Sequence, residues 1–232
     1  MNNRLIGTER ESSLHRSLKF QYSGKEGITE TISGTYICDA RSDKGELIEV
    51  QTGSFGPLKE KVKSLCRKGK VRIIHPIAVQ KHIELYDSEG GLVHRRKSPR
   101  KGSTWDLFKA LLYAPEIPSL KNLTIELVLI DLVEKRINDG KGSWRRRGIS
   151  IVDRIQEAGH GSVILKNQKD YLQFIPFKKS EQFTVRDLCK KAGINNNLAR
   201  KALYVLEKMN LVERTGKQGN AIIYMPYQKK VV

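Results

Sequence analysis

The sequence predicts an α/β fold, a mixed sheet with helices on both faces, closed at its C-terminal end by a small helix–turn–helix–hairpin module. Three observations carry that expectation. The first third reads helix, hairpin, helix, apolar strand; residues 181–232 read helix, turn, helix and two short strands; and a formal net charge of +18 is spread across all of it. With 38% apolar and 29% charged residues, the chain is too apolar to be disordered throughout and too basic for an ordinary enzyme of neutral substrates. The implied partner is a polyanion.

Residues 8–22 carry the first helix. Thr8 is placed to cap it with Glu11 at the third position inside, and Leu14, Leu18 and Tyr22 recur every four residues. His15, one turn after Glu11, reads as an ordinary half-buried histidine without a catalytic role. A strand follows over Gly34 to Asp39, then the tight-turn signal Asp43-Lys44-Gly45, then a strand over Leu47 to Gln51. If the hairpin folds about Lys44, Asp39 lies across from Glu49, and Glu49 and Gln51 point the same way. Two carboxylates brought together repel unless a cation or proton relieves them. Oxygen ligands of this kind suit Mg²⁺ or Mn²⁺, ions that stabilise charge on a phosphodiester. Pro57 opens a helix over Leu58 to Arg67 with Leu58, Val62 and Leu65 as its buried stripe, Gly69 ends it, and Val71 to Ile74 is an apolar strand.

This arrangement resembles the PD-(D/E)XK superfamily, the restriction-endonuclease-like and Holliday-junction-resolvase-like nucleases, over approximately residues 8–80. The matching residues are Glu11 in the first helix, Asp39 at the end of the first core strand, and Glu49-Val50-Gln51 on the next. The resemblance implies a restriction-endonuclease-like core in which Asp39 and Glu49 bind a divalent ion and Glu11 adds a ligand or orients water. Gln51 stands where the family usually has Lys. Gln carries no positive charge, and Lys59 and Lys63 of the following helix are the available substitutes.

In the middle of the chain, Val79 to Tyr86 and Leu92 to Arg95 suggest a hairpin leading into the basic run Arg95 to Lys101. Trp105 to Tyr113 is a short helix, and Thr124 to Val133 is a buried strand or helix that periodicity does not resolve. A basic, glycine-punctuated loop, Gly140 to Gly148, presents Arg145, Arg146 and Arg147 to a phosphate backbone. Trp144 beside them either stacks on nucleic acid or anchors the loop. Ser150 to Ala158, Ser162 to Leu165 and Tyr171 to Ile175 either extend the first domain or form a small helix-and-hairpin unit.

After Pro176, Thr184 caps a helix from Val185 to Ala192. Gly193-Ile194-Asn195 is a turn, a second helix runs from Asn197 to Met209, and two strands flank the turn Gly216 to Asn220. By order and loop length this is similar to a winged helix-turn-helix. Such a unit leads into the major groove with the start of its second helix, which here carries Asn196, Asn197, Arg200 and Lys201, with Lys217 at the wing tip. Ten Lys or Arg against four Asp or Glu in residues 181–232 favour DNA.

The expected domains are residues 1–118, nuclease-like; 119–180, a basic middle region; and 181–232, a winged helix. The expected function is Mg²⁺- or Mn²⁺-dependent hydrolysis of double-stranded or branched DNA by an endonuclease, with a non-catalytic DNA-binding protein as the alternative. Duplex cleavage commonly needs two active sites, which makes a homodimer an expectation. Three widely spaced cysteines, no Cys-x-x-Cys pair, no signal-peptide pattern and no apolar run of membrane-spanning length point to a cytoplasmic protein with no membrane partner.

Overall fold

The computed structural model describes residues 11–27 and 29–227. Its first helix, α1 (Ser13–Tyr22), starts later than the sequence suggests. Ser12 is the N-cap, accepting from the His15 amide, and no acid lies in the first turn. Glu11 therefore precedes the helix instead of completing a capping box, and Thr8 lies outside the described residues.

Three short strands follow: β1 (Thr29–Ser33), β2 (Tyr36–Arg41) and β3 (Leu47–Val50), each antiparallel to the last. A helix, α2 (Lys59–Lys68), then crosses over and returns the chain as β4 (Val71–Tyr86), parallel to β3. A parallel pair requires such a crossover. The strands β6 (Leu123–Asn138), parallel to β4, and β7 (Ile149–Leu165), antiparallel to β6, extend the sheet, while β5 (Leu92–Lys97) pairs with the far end of β4. The result is one seven-stranded mixed sheet in the order β1-β2-β3-β4-β6-β7, with β5 attached to β4.

The two helices lie on opposite faces. Leu14 and Leu18 of α1 pack on Ala40, Ile48, Val50 and Ile74, while Val62, Leu65 and Cys66 of α2 pack with Leu47, Val71 and Ile73. Alternation along β3 and β4 sends neighbouring residues to opposite faces, which is how one strand supplies both cores. Each fully buried aliphatic side chain contributes roughly 1.5–3 kcal/mol. The end of α1 is also fastened by polar contacts: Tyr22 donates to Glu126 (2.7 Å), and Arg72 bridges Glu126 and Glu46, each at 2.7 Å.

Strand β4 changes partner midway, and Pro76 explains where. In a parallel ladder the backbone groups of residues 74, 76 and 78 face the same edge. The Ile74 carbonyl accepts the last bond from the β3 side, from the Gln51 amide (2.8 Å). Pro76 has no N–H to offer, so pairing with the β3 segment stops there. Ala78 then accepts from Gly102 (2.8 Å) and Lys81 from Ser98 (2.7 Å). Gly102 is required at this approach, because a Cβ there would lie 2.5 Å from the Ala78 carbonyl oxygen. The slot between β3 and segment 98–102 is a cleft of about 570 Å³.

The middle of the chain does not stand apart. Residues 123–138 resolve as β6, buried on both faces through most of its length, and residues 150–165, expected as separate pieces, run as one strand with register shifts against β6. Residues 168–174 form a 3-10 helix.

The chain ends in α4 (Val185–Ala192), α5 (Asn196–Lys208) and the hairpin β8 (Val212–Gln218) and β9 (Ala221–Pro226), with Phe183 bridging to Tyr224. Thr184 caps α4 in a reciprocal box with Asp187. Helix α5 packs against α3 (Leu107–Ala110), and its buried residues Leu198, Ala202, Leu203 and Leu206 belong to the same apolar cluster as α2 and the sheet. Phe174 joins the parts, lying 5.1 Å from Trp105 and 4.9 Å from Phe108 between ring centres.

Candidate active site

The hairpin register places two acids opposite each other. Ala40 faces Ile48 and Arg41 faces Leu47; the same count sets Asp39 against Glu49, where β2 and β3 part. Asp39 Oδ2 accepts from the Val50 amide (2.7 Å) and lies 3.3 Å from His15 Nε2 on α1. Glu49, only 3% exposed, turns to the other helix, with its Oε1 2.5 Å from Lys61 Nζ on α2. One carboxylate is thus tied to each layer of helices.

Their ionisation is pulled apart. Burial opposes the charge on Asp39, but the bonds from His15 and the Val50 amide, with the charges of His15 and Lys61, outweigh it and hold its pKa below the usual carboxylate value. Burial, then repulsion from Asp39, pushes the pKa of Glu49 up despite Lys61. The Cys38 thiol beside them is pushed up to about 11, by burial first and then by Glu49. Environments that separate two neighbouring acids in this way recur at catalytic sites, and in structural ion-pair networks too.

Glu11 lies at the edge of the same group, 3.6 Å from His15 Nε2 and 3.3 Å from Lys19 Nζ. The Oε1 atoms of Glu11 and Glu49 are buried without a well-formed hydrogen bond. Gln51 does not join the carboxylates by any bond: its side-chain amide donates to the Ser54 carbonyl and closes the turn after β3. Lys59 and Lys63, the expected substitutes for a strand lysine, both pair with Glu116, at 2.6 and 3.4 Å. Lys61, between them, is the lysine of α2 that reaches Glu49. Among the described residues no group of three or more His, Cys, Asp or Glu is arranged to hold a metal ion. The adjoining cleft is mainly basic, with Lys81, Arg100, Lys109 and Arg154 against Asp106 and Glu134.

Sequence reasoning missed Lys61: three lysines alternate along 59–63, and the phase of α2, set by Val62 and Leu65, brings the middle one to Glu49. His15 is half-buried, as its place on α1 suggests, and its partner is Asp39.

At the C-terminal end, Asn196, Asn197 and Arg200 are exposed at the start of α5, Lys201 is half-buried and Lys217 is exposed near the hairpin tip. Asn195 caps the helix, accepting from the Leu198 amide. A groove of about 620 Å³ between α4, α5 and the hairpin adds Arg186, Tyr204 and Arg214 to Asn196 and Arg200. On the β6–β7 loop Arg145 and Arg147 are exposed, whereas Arg146 is half-buried and its Nε donates to the Ile149 carbonyl (3.1 Å), which ties it to the loop.

Residues 12–166 match the family described as "Domain of unknown function (DUF8091)". The chain belongs to that family. The matched stretch takes in α1, all seven strands of the large sheet and α2. The chain is also similar to an uncharacterized protein of Treponema pallidum (strain Nichols), 28% identical over 220 residues, covering 94% of this chain and 86% of that protein. At that coverage the second match extends past residue 166 and takes in the C-terminal helices. No solved structure matches the chain. No helix among the described residues is long and apolar enough to cross a membrane.

Proposed function

We propose that this DUF8091 protein is a metal-dependent DNA endonuclease with a PD-(D/E)XK, restriction-endonuclease-like core, and that α4, α5 and the β8–β9 hairpin form a winged helix that binds DNA. The observation that carries the reading is the placement of Asp39 and Glu49. They stand at neighbouring positions where antiparallel β2 and β3 part, Asp39 paired with His15 of α1 and Glu49 with Lys61 of α2, and β4 returns parallel to β3. The strand order and directions, with two acids close together on β2 and β3, are what support the reading.

The residues fit a hard cation with few protein ligands. Asp39 is held ionised, and Glu49 beside it is buried with its Oε1 against Lys61 Nζ, an ammonium that a cation bound there would have to displace. Mg²⁺ commonly takes one or two carboxylates and keeps its remaining positions for water and phosphate, so the lack of a three-ligand group is compatible with it. Bound there, Mg²⁺ or Mn²⁺ would stabilise charge on the phosphate and lower the pKa of water. The chain's own residues do the rest. His15 and the Val50 amide orient Asp39, Lys61 sets an ammonium where a phosphate oxygen would approach Glu49, and Gln51 fixes the turn bordering the basic cleft. Hydrolysis adds water to phosphorus, breaks one P–O bond and leaves a proton on the departing oxygen.

A second reading, a non-catalytic DNA-binding protein, is favoured by one observation: both acids already have partners within the protein, Asp39 in His15 and Glu49 in Lys61. Incubation of plasmid, linear and branched DNA with Mg²⁺ or Mn²⁺ separates the two. Cleavage by the native protein that Asp39→Asn removes is the expected result. If no substrate is cut with either metal while DNA is still bound, the second reading stands.

A further inference from the structure

The β6–β7 loop contains a feature that the proposed nuclease does not use. Trp144 is 83% exposed, the highest value among the large apolar side chains of the described residues. A tryptophan that anchors a loop would be buried beneath it, so that role is ruled out here. The loop itself is built to project. The Gly142 amide donates to the Gly148 carbonyl (2.8 Å), Asp139 accepts from the Lys141 amide (3.0 Å) and the Ser150 hydroxyl (2.8 Å), and Arg146 ties back to Ile149. Gly140 and Gly148 take the left-handed backbone that such a turn needs, at φ +73° and +80°. Ordering a large apolar ring in water on a stapled loop, with nothing covering it, is costly unless a ligand covers it.

Charge selects the ligand. The Arg145 guanidinium lies 5.6 Å from the Trp144 ring centre, and Arg147 is exposed beside it. An aromatic plane flanked by exposed guanidinium groups matches a nucleobase joined to phosphates, because bases stack on aromatic faces and arginines hold the backbone. Bases within a duplex are already stacked on their neighbours; only unpaired or displaced bases present a free face. We infer that the Trp144 tip is a stacking platform for unpaired bases, so that the preferred substrate is DNA with a single-stranded, bulged or branched segment.

The position is consistent with one molecule reaching both places. Glu49 is level with Ile73, and Ile73 with Ile125 on β6. The base of the loop, Asn138, is thirteen residues beyond Ile125, so roughly 43 Å of strand lies between the level of Glu49 and the loop that carries the tip, a little over one turn of duplex. The inference rests on the nucleic-acid reading above but not on cleavage.

The test uses the full chain in EDTA, where metal-dependent cleavage cannot occur. Single-stranded, fully paired and bulged oligonucleotides are titrated against tryptophan emission and anisotropy, for the native protein, Trp144→Ala and Trp144→Phe. Single-stranded and bulged DNA should quench the native emission. Trp144→Ala should lose that quenching and about 5- to 150-fold in affinity for those two ligands, with duplex binding unchanged and Trp144→Phe intermediate. If Trp144→Ala binds all three as the native protein does, or loses affinity equally for all three, stacking is overturned while DNA binding stands. If no DNA of any kind binds, the nucleic-acid reading falls as well. Quenching by vesicles of anionic phospholipid and by no DNA would make the tip a membrane contact and overturn the inference.

Discussion

Replacing Lys61 with Met removes the ammonium from Glu49 and keeps most of the apolar stem. The pair is well shielded, with Lys61 20% and Glu49 4% exposed on their side chains and 2.5 Å between them. Breaking a buried ion pair on one side costs about 3–5 kcal/mol; because Glu49 can take up a proton, the cost belongs near the lower figure. At about 2–4 °C per kcal/mol for a chain of this size, the melting temperature at pH 8 should fall by about 6–12 °C. The loss should depend on pH. Burial and Asp39 already raise the pKa of Glu49 above its ordinary 4.5, and removing Lys61 raises it further. Between pH 4.5 and that raised value the folded state holds a proton that the unfolded state lacks, so stability falls as pH rises through the window and returns as pH drops. Calorimetric melts of both proteins from pH 8 to pH 5 should therefore converge toward acid. An offset that stays constant with pH, or no offset, would refute the coupling of Lys61 to a buried Glu49.

Burial holds the pKa of His75 below its ordinary 6.5, so the unfolded chain binds the extra proton and stability is lost as pH falls below about 6.5. His75→Gln should flatten the melting curve between pH 6.5 and 5, and a slope equal to the native one would contradict this. Thr184→Ala removes the capping box of α4 and should cost about 1 kcal/mol, or roughly 2–4 °C, which Thr184→Ser should largely restore. Leu203→Ala deletes a side chain 1% exposed on α5 and should cost about 2–5 kcal/mol. Its effect should appear in one transition shared by circular dichroism and tryptophan emission, since α5 lies in the common core; two separated midpoints would show that it does not.

The acids were legible because the turn signal at Asp43-Lys44-Gly45 fixes the count between β2 and β3. The start of α1 was not, since Thr8 and Ser12 are both good caps and local pattern does not choose between them. Strand β1 escaped notice because its Thr-Glu-Thr sequence is polar on both sides, as an edge strand tolerates. The length of β4 was hidden by Pro76, which reads as a breaker unless the edge it faces is known to be unpaired. The apolar run of β6 has no clear period because both its faces are covered. Lys61 was the costliest omission at the site: what diverts Lys59 and Lys63 is Glu116, a contact between segments far apart in sequence.

The apolar cluster that runs from α2 through Phe174 into α5 has a consequence for how this protein can vary. Its last fifty residues are not an exchangeable cassette on a tether. Cutting the chain near residue 180 would strip the cover from α3 and leave Phe108 and Leu111 facing water, so the sheet would lose solubility along with the helix pair. Whatever the terminal helices hold is presented to the acids at a fixed span and angle, and a change in target spacing would have to come from reshaping that seam rather than from lengthening a linker.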